Sequence, residues 1–185
     1  MQTFTPDDLE EDILADLMEE INELYESSEQ TLIELELRPE DNELQRALFR
    51  SIHTIKGDLG LVNFSPMIPL LQHVEDLLDY LRKGQVAYTS TMSDLVLLTM
   101  DRVKAFVEAV MASGKAEYDD NLHNQLVLAI GRVTPENTAE HEKRLTEAVL
   151  LLNPALDIVA DEDDPQNVQI KPPTLAATGI PKDIS

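Results

Sequence analysis

A chain of 185 residues with 43% hydrophobic content can bury one compact core and has too little apolar mass for a second full domain. Its 36 acidic residues face 14 basic ones, and a net charge of -22 repels a nucleic-acid backbone or an anionic membrane, so other proteins are the expected partners. Cysteine is absent, which removes disulfides, thiol nucleophiles and thiolate metal sites, and the first residues lack a signal peptide's basic flank and apolar run; a cytoplasmic protein is expected.

Few glycines, only 4% aromatic residues and much Leu, Glu, Asp and Ala predict an all-α fold. A first helix is expected from about Asp7 to Glu36, where Leu9, Ile13, Leu17, Ile21, Leu24, Tyr25, Leu32 and Leu35 recur at helical spacing. A second follows Pro39, with Leu44, Leu48, Ile52, Ile55 and Leu59 on one seam and His53 beside it. It ends near Asn63, a residue that tolerates a left-handed C-cap.

Ser65-Pro66 reads as an N-cap with proline at the first helical position, and Pro69 also falls in the first turn, where a missing N–H costs little. That third helix carries Leu70, Leu71, Val74, Leu77, Leu78 and Leu81 and closes at Gly84. A fourth follows the Thr89-Ser90-Thr91 cap region, buries residues from Met92 to Val110, and stops before Gly114. A fifth, about Asp119 to Val133, offers Leu122, Leu126, Val127 and Ile130, and a sixth spans about Ala139 to Leu152. From residue 154 onward acids and prolines predominate and periodicity is lost, so 154–185 reads as a disordered tail or a linker. Short connections favour an up-and-down antiparallel four-helix bundle over residues 1–133, with one or two additional C-terminal helices, the last within 134–153.

The informative segment is Phe49-Arg50-Ser51-Ile52-His53-Thr54-Ile55-Lys56-Gly57-Asp58-Leu59-Gly60. His53, Lys56, Gly57 and Gly60 fall at i, i+3, i+4 and i+7, one stripe of a helix. Interior helical glycine costs about 1 kcal/mol relative to alanine, and close approach by another body explains two of them beside a histidine. A phosphoryl group arriving at an imidazole needs a neutral nitrogen, a fixed tautomer, nearby positive charge and room for the donor. Lys56 and Arg50 could supply the charge; Gly57 and Gly60 could supply the clearance.

Counting places an acceptor for the tautomer. His53 lies ten positions before Asn63 and Glu75 ten after Ser65, so on antiparallel neighbours both stand roughly 15 Å from the connection. Glu75 would accept from Nδ1–H and leave Nε2 as the nucleophile. By the same count Gln72 falls near Lys56 and could contact a phosphate oxygen. His73 is expected at the helix surface or in a partner contact, and His123 and His141 in solvent. No metal is expected: Glu-x-x-His pairs are missing, and the four histidines lack ligand spacing.

The His-x-x-Lys-Gly core, preceded by Phe49-Arg50 and followed by Phe64, resembles the histidine phosphotransfer domain, most closely the N-terminal phosphotransfer domain of chemotaxis histidine kinases. The resemblance covers about Asp7 to Val133, including Val74-Glu75-Asp76-Leu77-Leu78-Asp79 and Arg82-Lys83-Gly84. It implies that His53 is phosphorylated, that Lys56 and Gly57 support it, and that Glu75 orients it. The implied partners are a sensor or chemotaxis-type histidine kinase and a response-regulator receiver domain, whose aspartate exchanges the phosphoryl group and whose site holds the Mg²⁺; the chain itself needs no cofactor. Two positions depart from the pattern: Gln72 stands where chemotaxis kinases usually place a second histidine, and Asn63 replaces a glycine. With no glycine-rich phosphate loop, the chain is expected to be a phosphohistidine carrier and not a kinase. The alternative from another class is a helical scaffold that binds the same partners without phosphotransfer.

Overall fold

The computed structural model describes residues 1–160. Within them lie six helices, α1 (Glu11–Leu37), α2 (Asn42–Leu61), α3 (Ile68–Arg82), α4 (Ser90–Ser113), α5 (Asp120–Gly131) and α6 (Thr138–Leu152), and two short strands, β1 (Gln2–Phe4) and β2 (Ala116–Tyr118).

Local chemistry sets the helix ends. Asp41, Thr89, Asp119 and Asn137 each precede a helix and accept a hydrogen bond from a backbone N–H of its first turn, satisfying donors that the helix cannot. Asn63, at φ 60°, takes the left-handed conformation just past α2, and the chain then enters a 3-10 turn, Ser65–Met67, before α3. Pro69 occupies the first turn of α3 as the sequence predicts, but Ser65 is not its N-cap: Ser65 and Pro66 lie in the separate 3-10 turn, and neither that turn nor α3 has a side-chain cap.

Helices α1 to α4 form the up-and-down four-helix bundle expected. Helix α1 lies between α2 and α4, and α3 closes the ring. Cross-contacts show the alternation: Glu36, near the end of α1, accepts from Ser90 at the start of α4, while the Lys104 ammonium lies 4.3 Å from the Tyr25 ring centroid further along the pair. The apolar seams meet inside, with Ile21, Leu48, Ile52, Leu71, Val74, Leu95 and Phe106 fully buried. Each such side chain contributes about 1.5–3 kcal/mol relative to exposure. Helices α5 and α6 pack on α3 and α4, and Leu126, Ile130, Leu145 and Leu152 carry the same core across residue 133.

Three further expectations need correction. The first helix begins at Glu11, not Asp7, because residues 2–4 pair antiparallel with β2, which places Phe4 against Phe64 and Phe106 with ring centroids 5.2 and 5.1 Å apart. Ile13 is 42% exposed and does not join the seam, because the buried face of α1 runs through Leu14, Leu17, Met18 and Ile21. Residues 154–160 are not a loose tail: Val159 bridges to Glu117 on the β2 edge opposite β1, Ile158 is buried, and Asp157 binds Arg102 through both carboxylate oxygens at 2.7 and 3.1 Å. The remainder of that stretch, 161–185, lies outside the described residues.

The third correction concerns two histidines. His123 and His141 are each 5% exposed rather than solvated. His123 donates from Nε2 to the Pro66 carbonyl at 2.8 Å, which leaves Nδ1 to accept from Arg102 at 3.4 Å. Burial, with Arg102 beside it, pushes the imidazole below its ordinary value, so the ring stays neutral. His141 Nδ1 donates to the Thr134 carbonyl at 3.0 Å and fixes the turn into α6.

Candidate functional site

The site lies on the outer seam between α2 and α3. On α2, Phe49, His53 and Lys56 fall at i, i+4 and i+7; on α3, Glu75, Asp79 and Arg82 repeat that spacing, so each helix presents one polar-edged stripe to the other. The helices run antiparallel, which sets His53 against Glu75 and Lys56 against Gln72 and Glu75.

The His53 side chain is 62% exposed, whereas Glu75 behind it is only 8% exposed. Nδ1–H of His53 donates to Glu75 Oε1, and the Lys56 ammonium donates to Oε2 of the same carboxylate. Lys56 also donates to Gln72 Oε1 at 2.9 Å, and Gln72 Nε2 donates to Asp76 at 2.9 Å. Burial alone would raise the Glu75 carboxyl, but the hydrogen bonds and charge of Lys56, with the bond from His53, outweigh it and hold the group below the ordinary carboxylate range. A carboxylate that stays ionised fixes the tautomer of His53 with its proton on Nδ1, leaving the Nε2 lone pair on the water-facing edge.

Gly57 and Gly60 extend the stripe toward the end of α2, and a Cβ built at either meets nothing within 4 Å, so the surface beside His53 is open. Arg50 is exposed one turn before His53. His73 points away from this seam: a Cβ on Gly131 of α5 would come within 3.0 Å of its Nε2, so its ring fills the α3–α5 contact.

The model of the Hpt domain family matches residues 12–110, more than half the chain and the span that contains this constellation. The chain belongs to the Hpt domain family. That places it in two-component phosphorelay signalling, where an Hpt domain is a phosphohistidine carrier. Among curated relatives of this Hpt chain, the sensor histidine kinase CheAY of Helicobacter pylori is 33% identical over 145 residues, 77% of this chain and 18% of the relative. The chemotaxis protein CheA of Halobacterium salinarum is 33% identical over 109 residues, 59% of this chain and 16% of the relative. The chain thus spans less than a fifth of the length of these two relatives. A solved structure, the CheA phosphotransferase domain from Thermotoga maritima, superposes with a TM-score of 0.53 at 32% identity, covering 56% of this chain and 98% of that one.

The structure brings together His53, Lys56, Gln72 and Glu75, and sets Arg50, Gly57 and Gly60 along the same exposed face. Gln72 lies beside Lys56 as the count along the helices expects: its carbonyl oxygen accepts from Lys56 and its amide nitrogen donates one hydrogen to Asp76, so it braces the lysine. Sequence reasoning missed Phe49 and Arg82 as neighbours of the site. The shared i, i+4, i+7 spacing was the signal that could have found them.

Proposed function

We propose that His53 accepts a phosphoryl group on Nε2 and exchanges it with an aspartate of a response-regulator receiver domain, with a chemotaxis-type histidine kinase as a source of the group. The observation that carries this reading is a water-exposed imidazole whose Nδ1–H is held by a buried, ionised carboxylate. In the transfer, the Nε2 lone pair forms a bond to phosphorus while the bond from phosphorus to the aspartyl oxygen breaks, and the aspartate leaves as carboxylate with that electron pair. The ring gains positive charge as the new bond forms, and Glu75 stabilises it through the Nδ1 proton. Return of the group to another aspartate is the same path reversed.

Lys56 offsets charge on the phosphoryl oxygens from its place one turn away, and Arg50 adds to it. Gly57 and Gly60 leave clearance for the partner's own site, which supplies Mg²⁺. The chain contributes position and a nucleophile, which is most of what phosphoryl transfer asks of a protein.

Incubation with a radiolabelled, phosphorylated receiver domain tests the reading. Acid-labile, base-stable label should appear on the wild-type chain and be lost in His53→Gln, with receiver binding retained. Equal labelling of His53→Gln would move the site elsewhere; binding without label in the wild type would make the chain a scaffold.

A further inference from the structure

One hydrogen bond locates Nδ1 of His53 but leaves the ring free to tilt about that bond. A second restraint stands one helical turn earlier. The Phe49 ring lies within 7° of parallel to the imidazole, with centroids 6.1 Å apart. From α3, Arg82 covers Phe49, its guanidinium carbon 4.6 Å from the ring centroid. Arg82 is tethered in turn to Asp79 at 2.5 Å, and Lys83 holds the other oxygen of that carboxylate at 2.8 Å.

We propose that Phe49 is a positioning residue that fixes the plane of the His53 imidazole, with Arg82 as its brace from α3. The inference rests on the reading of His53 as phosphoryl acceptor. Glu75 and Arg82 stand on one stripe of α3, so the same helix controls both the edge and the plane of the ring. In-line attack depends on the direction of the Nε2 lone pair, and a ring that wobbles spends less time aligned; misplacement by about 1 Å can cost on the order of 100-fold in rate. Arg82 acts on the imidazole through Phe49, since its guanidinium lies against that ring and Asp79 holds it there.

The test compares Phe49→Leu, Phe49→Tyr and Arg82→Gln with wild type in two measurements: the order of the His53 ring by NMR relaxation at its Cε1–H, and the rate of His53 labelling by phosphoramidate, a small donor that needs no docking surface. Phe49→Leu should lower ring order and slow labelling about tenfold. Phe49→Tyr should restore both, and Arg82→Gln should shift both by less in the same direction. Unchanged ring order in folded Phe49→Leu, or slow labelling that Phe49→Tyr fails to rescue, would overturn the role. Should Phe49→Leu not fold, Arg82→Gln, whose side chain is 37% exposed, carries the comparison: unchanged ring order there overturns the brace, and with it the proposal. Absence of label on the wild type would instead remove the phosphoryl-acceptor reading, while ring order still decides whether Phe49 holds the imidazole.

Discussion

Glu75 is the residue on which the site turns. It accepts from His53 and Lys56 at once, and its own carboxyl is held below the ordinary 4.5, so it remains charged wherever the protein is folded at neutral pH. Glu75→Gln keeps the shape and loses the charge. Its amide can still accept from Nδ1–H, but the developing imidazolium loses its counter-charge and Lys56 loses its partner. Transfer from a saturating phosphorylated receiver should slow at least about tenfold with binding unchanged, read as single-turnover labelling. Wild-type rates in that variant would show that the carboxylate does no electrostatic work. The sign for folding follows from the lowered value: Glu75 contributes stability above the ordinary 4.5 and loses it as pH falls through its folded value, so the acid limb of unfolding should flatten in Glu75→Gln. His53, Lys56, Gln72 and Glu75 were legible in the sequence because two spacings of three residues, counted from one turn on antiparallel helices, can match in only one register. Arg102, His123 and Asp157 were not. Each is a lone polar residue in sequence, and only tertiary packing makes them neighbours.

At the scale of elements, the helices could be read from apolar periodicity and from cap residues that act locally, and those signals survive in any fold. The strand β1 could not. Three residues are too few to show alternation, and its register comes from β2, far away in the chain. Residues 154–160 misled for a related reason: acids suggest solvation, yet Asp157 is drawn inward by an arginine whose side chain is 4% exposed. Burial would raise the Asp157 carboxyl, but hydrogen bonds from Arg102 and the Asp119 N–H hold it below the ordinary range. The pair therefore fastens this segment to α4 and to the start of α5. Asp157→Ala leaves the Arg102 charge buried without its partner and should cost about 3–5 kcal/mol in urea unfolding, with faster proteolytic cleavage beyond α6. An unchanged midpoint would mean that the segment adds nothing to the fold.

Charge is the property that belongs to the whole molecule. The net value of -22 is unevenly spread: α1 contains no lysine or arginine, while Arg46, Arg50 and Lys56 lie on α2 and Arg82 and Lys83 at the end of α3. Cations therefore gather where an anionic phosphoryl group would arrive, on a protein whose remaining surface repels anions. Folding brings the acidic surfaces of α1 and its neighbours together, and that repulsion opposes the compact state. Salt acts on two opposing terms. It weakens exposed pairs such as Arg38–Glu34 and Arg46–Glu43, each worth about 0–1 kcal/mol, and it screens the repulsion among 36 acids that 14 bases cannot balance. The second term is the larger here, so stability should rise with ionic strength. Between 0.01 and 0.1 M NaCl the screening length falls from about 30 to about 10 Å, a range that covers the spacing of neighbouring helices. The melting temperature should climb over that interval and flatten beyond it. A melting temperature that falls as salt is added would show that the ion pairs, and not the excess of acids, dominate the electrostatics of the fold.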